Sequence, residues 1–208
     1  MDKKIYWISK NPGWIFRTST GILIFIVLSV ASCKTAELGF KVTNINGMIY
    51  DFNNRPVAHC EISLGWRYKS TTDINGRFTL PKVAFGTYTV TAHKNGYETY
   101  SDKVIIKDPG QIIYIRIPSQ NQLLRLVDEA LVANNYPLAE ETVIRAHQID
   151  AHNIETLFYY AVVKFRQNEY DRAILFLETA KSLGAKDLYI DKFLTILNSA
   201  AKPQIKRL

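Results

Sequence analysis

The chain has 208 residues, 47% of them hydrophobic and 22% charged, and its 26 Lys and Arg outnumber 19 Asp and Glu for a formal net charge of +7. Part of that excess is local, because residues 1–32 carry 4 of the basic residues and 1 of the acidic ones, leaving 22 against 18 in the remaining 176. So small and dispersed a surplus gives no argument for nucleic-acid binding, and none is expected; the length leaves room for one large or two small domains.

The chain opens on Lys3, Lys4, Lys10 and Arg17 against a single Asp2, the charge pattern of a signal-peptide n-region. Sixteen uncharged residues then separate Arg17 from Lys34, and the strongly apolar part runs only over 21–31. Crossing a bilayer takes about 20 helical residues, whereas a secretory h-region takes about 7–15, so the run fits the latter. It ends in Val30-Ala31-Ser32-Cys33. This resembles the lipobox of bacterial lipoprotein signal peptides, in which the chain is cut before the cysteine, whose sulfur and new amino terminus carry fatty acids. The resemblance implies a signal peptide over 1–32 and a lipidated Cys33 with a short tether over 33–40. It also implies a protein anchored by lipid to a membrane of the bacterial cell envelope, on the periplasmic face or at the cell surface. The alternative is an uncleaved signal-anchor helix with Cys33 a bystander. With Cys33 acylated, Cys60 has no intramolecular disulfide partner and is expected to be a small core residue.

Residues 41–118 alternate short β-branched and aromatic runs with turn residues. Strands are predicted over 41–51, 57–64, 77–80, 87–94, 103–107 and 111–118, separated by Asn53-Asn54-Arg55-Pro56, Asp73-Ile74-Asn75-Gly76, Phe85-Gly86, Asn95-Gly96 and Pro109-Gly110. Several short strands at such spacing predict a β-sandwich. Gly47, Tyr50-Asp51, Arg55-Pro56-Val57-Ala58, the run Thr71 to Leu80, Gly86 to Val90 and Gly96-Tyr97 stand in the order of one known family. This stretch resembles the carboxypeptidase regulatory-like family, which implies a small prealbumin/transthyretin-like sandwich and a non-catalytic module. Asn54 departs from the family, which often has glycine before the proline-containing turn, and leaves the turn type open. His59 and His93 are isolated within strands, and a metal site needs three or four converging ligands. Asp73-x-Asn75-Gly76 has the start of a calcium loop without its further oxygen ligands, so a simple turn is the reading adopted. Trp66, Tyr68 and Tyr100 are candidates for a carbohydrate-stacking face, with core or edge packing as the default alternative.

After Pro118 glycine becomes scarce and the apolar period turns helical. Tyr136, Ala139, Val143 and Ala146 recur as Tyr170, Ala173, Leu177 and Ala180, each pair 34 residues apart, and the same offset relates Leu123 to Leu157, Val127 to Ala161 and Leu131 to Phe165. The period and the small-residue positions resemble the tetratricopeptide repeat, a helix–turn–helix unit. Helices are predicted over 119–134, 138–150, 154–168, 170–183 and 187–200, the last one a cap, so that the repeats occupy 119–201 and a basic tail follows at 202–208. Ala151 and Ala185 stand where the family favours proline, and Lys164 where it favours a large apolar residue. The resemblance implies a concave groove lined by the first helix of each repeat: Leu124, Asp128, Leu131 and Val132, then Phe158, Val162, Phe165 and Arg166. Such a floor suits an amphipathic helix or extended peptide. The alternative is that the sandwich or the cap helix buries the apolar positions.

No nucleophile–base–orienter set is visible. His147 and His152 lack partners at metal-ligand spacing, Glu140-Glu141 reads as a solvated helix face, and there is no Gly-rich phosphate loop. The expected architecture is therefore an all-β domain followed by an all-α domain, with no catalytic site, metal or cofactor. The leading expectation is a lipid-anchored protein-interaction or scaffold module with a protein or peptide partner. The rival is a carbohydrate-binding surface lipoprotein, and the sequence sets no oligomeric state.

Overall fold

The computed structural model describes residues 41–186 and 188–201. The leader, Cys33, the tether and the 202–208 tail lie outside the described residues. Those described form an N-terminal β-sandwich of two sheets followed by five packed helices: β1 (Val42–Tyr50), β2 (Glu61–Leu64), β3 (Tyr68–Thr71), β4 (Arg77–Ala84), β5 (Gly86–His93), β6 (Tyr100–Ile106), β7 (Ile112–Arg116), α1 (Gln120–Val132), α2 (Tyr136–Ile149), α3 (Ile154–Arg166), α4 (Tyr170–Ser182) and α5 (Leu188–Ala201). None of these helices is long and apolar enough to cross a membrane.

One sheet has the order β4-β1-β7 and the other β3-β2-β5-β6. Alternation along each strand supplies the core: Ile45 and Ile49 of β1, Phe78 and Leu80 of β4 and Ile113 and Ile115 of β7 face Ile62, Leu64, Val90, Ala92 and Ile106 of the other sheet. Each Val, Leu, Ile or Phe among them, fully buried, contributes about 1.5–3 kcal/mol. Gly47 lies on this inner face of β1, paired with Phe78 on one side and Ile113 on the other. A Cβ there would stand 2.2 Å from the Phe78 ring and 2.6 Å from the Ile113 carbonyl oxygen, so the ring fills the space a side chain would take.

Two predicted strands are corrected. The 57–64 run pairs only from Glu61, because His59 takes a left-handed φ of +53°. The approach to it is tied instead to Thr72, whose buried hydroxyl accepts from the Cys60 amide at 2.8 Å and donates to the Val57 carbonyl at 2.7 Å. Residues 77–80 extend through Pro81 to Ala84, since β4 is an edge strand where the missing N–H is tolerated. A bulge sets Pro81 and Lys82 opposite Asn44, with Lys82 at φ +52° and its amide bonded to the Asn44 side chain at 3.1 Å. Strand β3 was not predicted.

The turn at Asn54 is settled by asparagine taking glycine's conformation, φ +59°. The Asp51 carboxylate accepts from the Asn53 and Arg55 amides at 2.8 and 2.9 Å. Asp73 does the same for Asn75 and Arg77, both at 2.8 Å, so this carboxylate caps its own turn.

Because β1 and β7 run parallel, the chain enters the sandwich at one end and leaves it at the other. The entry end gathers Val42, the β2–β3 turn, the end of β4, the start of β5 and Ile106. The exit end leads within four residues into α1, whose Ser119–Gln122 capping box fixes its start. The helices are joined to that end by the Gln120 amide on the Gly96 carbonyl at 2.9 Å and by a two-pronged pair, Arg145 Nε and Nη2 to the Glu98 carboxylate, both at 2.7 Å. The buried Gln120 amide group donates to the Ala146 carbonyl and the Thr156 hydroxyl, each at 3.1 Å, linking α1, α2 and α3.

Candidate functional site

The 34-residue recurrence is realised as two copies of one helix hairpin. Asn135 and Asn153 cap α2 and α3 with their side chains. The turns joining α1 to α2 and α3 to α4 are built alike: Asn134 and Asn168 adopt φ +54° and +64°, and their side chains accept from the Tyr136 and Tyr170 hydroxyls at 2.9 and 3.0 Å. Ala139, Ala146, Ala173 and Ala180 are fully buried where the helices cross closely, beside Val143 and Leu177.

Lys164, a departure from the repeat pattern, is explained by long-range partners. Its buried ammonium donates to Glu140 of α2, to Gln167 at 3.1 Å and to Glu169 at 3.0 Å, while Gln167 also donates to Glu140 at 2.6 Å. Hydrogen bonds from Lys164 and Gln167 hold the Glu140 carboxyl below its ordinary value. Burial pulls the Lys164 ammonium down, but the two carboxylates outweigh it and leave it raised.

The eight groove positions do not form one apolar floor. Leu124 and Leu131 are core residues at 3% and 6% exposure, because α1 turns them into its packing against the neighbouring helices. Phe158 and Phe165 are half-buried against Phe193 of α5, at ring separations of 6.1 and 5.4 Å. The cap helix thus packs against both rings and leaves each of them partly exposed. Val162 is half-buried, while Asp128, Arg166 and Val132 (78% exposed) remain on the surface. The face left between α1 and α3 carries Tyr159, whose hydroxyl is pushed up first by burial and then by the charges of Asp128 and Glu155.

A cleft of about 570 Å³ opens beside it, lined by Ile154, Glu155 and Phe158 of α3, by Ala185 of the loop after α4, and by Tyr189 and Ile190 at the start of α5. It is mainly apolar with one carboxylate at the rim, the chemistry of a socket for an apolar side chain beside a basic one. Of these only Phe158 was singled out from the sequence as a binding residue; the other five were missed. The available signal was Ile154, an apolar residue directly after the Asn153 cap where a solvated first turn would be polar.

In the sandwich, the order of glycines and turn residues, the two self-capping aspartates and the β4-β1-β7 and β3-β2-β5-β6 sheets are now joined by a direct comparison. Residues 44–117 match the carboxypeptidase regulatory-like domain. Nothing among the curated proteins matches the chain significantly. Among solved structures, a type II cohesin–X-dockerin complex from Acetivibrio cellulolyticus is similar at 21% identity and a TM-score of 0.34, over 39% of this chain and 60% of that one. A second such complex from the same organism gives 19% and 0.34, over 42% and 73%. The major pilin subunit of Bacillus cereus gives 16% and 0.32, over 38% and 29%. Likenesses this slight decide nothing about what this chain binds.

Within the carboxypeptidase regulatory-like domain the three candidate stacking aromatics are not brought together. Tyr68 lies on β3 and Tyr100 on β6, the two opposite edges of a four-stranded sheet, and both pack partly against the core. The Tyr68 hydroxyl accepts from the Ala84 amide at 3.2 Å, and its ring meets Tyr88 edge-on at 5.8 Å. Trp66 alone projects, 88% exposed in the β2–β3 turn. Cys60 is fully buried, and burial pushes its thiol up to about 11, so it is a core residue and not a nucleophile at neutral pH. His93 bonds to Thr99 at 3.1 Å. Among the described residues no group of three or more His, Cys, Asp or Glu is placed to share a metal ion.

Proposed function

We propose that the mature chain begins at Cys33 and is a non-catalytic protein of the bacterial cell envelope, held to a membrane by lipid on that cysteine. Its helices are read as tetratricopeptide-type hairpins that bind a protein partner. The observation that carries the binding role is the duplicated hairpin with its matched Asn–Tyr turns, beside the apolar cleft between α3 and α5. A scaffold of stacked hairpins presents side chains on rigid helices, which suits recognition rather than chemistry. The partner segment this cleft fits has an apolar side chain for Ile154, Phe158 and Ile190 and a basic group for Glu155. The carbohydrate reading is not retained, since Tyr100 stands at the edge opposite Tyr68.

Two measurements test the parts separately. Intact mass of the membrane-extracted protein is expected to show an acylated Cys33 at the amino terminus; a chain still beginning at Met1 would remove the lipid anchor from the reading. For the helices, Ile154→Glu is expected to weaken capture of the partner from detergent-solubilised envelopes at least about ten-fold, equivalent to about 1.4 kcal/mol. Ile154 is on the surface, so the circular dichroism melt should stay that of the parent. An unchanged partner set at unchanged affinity rules the cleft out.

A further inference from the structure

We propose that the entry end of the sandwich is a membrane-contact surface, with Trp66 seated among the headgroups of an anionic phospholipid layer and Arg67 and Lys82 on its phosphates. This rests on the lipid-anchor reading of Cys33 and goes beyond it: the anchor tethers the chain, whereas this surface orients it.

Three observations converge. The first is exposure: Trp66 is 88% exposed at the tip of a turn that Gly65 makes at φ +59°. It borders a cleft of about 450 Å³ shared with Val42, Arg67, Tyr68, Lys82 and Tyr88. An indole beside half-buried tyrosines has the apolar body and polar edge that settle at a headgroup layer.

The second is charge. Arg67 and Lys82 lie at the same cleft, and the β4 bulge holds Lys82 there in a left-handed conformation that a non-glycine residue seldom adopts. Lys41 precedes β1 and Lys107 follows β6 at this same end, so its described residues carry these four basic groups against Asp108. An anionic surface attracts each such group.

The third is reach. Lys41 follows Cys33 by eight residues, and at about 3.3–3.6 Å per residue these span at most about 29 Å. With the cysteine acylated, this end of the sandwich cannot leave the neighbourhood of the bilayer. The helices, joined to the opposite end, are then turned outward to their partner.

The test uses the full chain carrying Trp7→Phe and Trp14→Phe, so that Trp66 is its sole tryptophan whether or not the leader is cut. The protein is extracted from membranes, its mass is recorded, and it is reconstituted in vesicles of phosphatidylcholine with or without phosphatidylglycerol. With acylated Cys33, Trp66 emission is expected to shift to the blue in the phosphatidylglycerol vesicles and to be quenched by brominated acyl chains. The Arg67→Gln/Lys82→Gln pair should lower the docked-to-undocked ratio about five-fold for each charge removed. If Cys33 is acylated and Trp66 remains as open to aqueous acrylamide as it is without phosphatidylglycerol, the contact is wrong and the anchor stands. An intact Met1 terminus overturns the anchor and, with it, this proposal. A blue shift produced by soluble polysaccharide without vesicles overturns the contact in favour of a glycan site.

Discussion

Replacing Gly47 with alanine is expected to destabilise the sandwich by about 3 kcal/mol, the upper end of what an added methyl group costs in a packed core. The new Cβ overlaps two neighbours at once, the Phe78 ring at 2.2 Å and the Ile113 carbonyl oxygen at 2.6 Å. The ring can rotate aside only into a core already filled by Ile45, Leu80 and Ile115. The carbonyl belongs to the parallel partner strand, so relieving that overlap means parting β1 from β7. Alanine restricts the unfolded chain more than glycine does, which returns about 0.4–1 kcal/mol and does not change the sign. Urea unfolding followed by circular dichroism measures the loss. Phe78→Leu in the Gly47→Ala background should recover part of it, because one of the two overlaps is removed; a Gly47→Ala protein as stable as the parent would show that β1 and β7 are not packed this closely.

The second large effect is expected at Lys164. Lys164→Ala should cost the helical region about 2–3 kcal/mol at pH 7. It leaves Glu140 without its cation and Glu169 with only the exposed Arg172, and it empties the space of a buried alkyl stem. Both carboxylates retain about a third of their exposure, which keeps the loss below that of a fully enclosed pair. The pH dependence follows from the directions of the shifts. Glu140 is held below its unfolded value, so its contribution is complete above about pH 4.5 and is lost as pH falls through the folded value. Lys164 is raised, so its contribution is present below about pH 10 and fades above the ordinary lysine value. The gap in stability between parent and Lys164→Met should therefore be wide at pH 7 and narrow at pH 3. Adding Glu140→Leu to Lys164→Met should restore part of the loss, since removing both partners relieves the unpaired charge. Equal gaps at both pH values would mean that the ion pairs do not carry the effect.

Much of the scaffold is legible in the sequence because it is local. Turn residues at Asn53–Pro56, Asp73–Gly76 and Asn95–Gly96 fall between the observed strands, and the 34-residue offset places every helix start within two residues of where it is found. What escaped depends on partners distant in the chain. β3 is four residues long, with Lys69 and Ser70 at its centre, and only pairing with β2 makes it a strand. Lys164 looks like an error in the repeat until Glu140, 24 residues earlier, is seen beside it. The period of α3 puts Phe158 and Phe165 on one face, but whether that face meets solvent was decided by Phe193 of α5, and no spacing within α3 carries that information. The cleft at Ile154 was hidden for the same reason: half of it belongs to the loop after α4 and the start of α5.

The parallel pairing of β1 with β7 has a mechanical consequence. The chain runs into the sandwich through β1 and out through β7, side by side and in the same direction, with Asn46 to Tyr50 in register with Ile112 to Arg116. A pull that separates Lys41 from Gln120 therefore acts along both strands and loads their cross-bonds in shear. All of the bonds must yield together, whereas an antiparallel hairpin pulled at its open end unzips one pair at a time. In the arrangement proposed above, with the sandwich strung between a bilayer and a partner, that geometry would let it transmit tension to the helices before it opens.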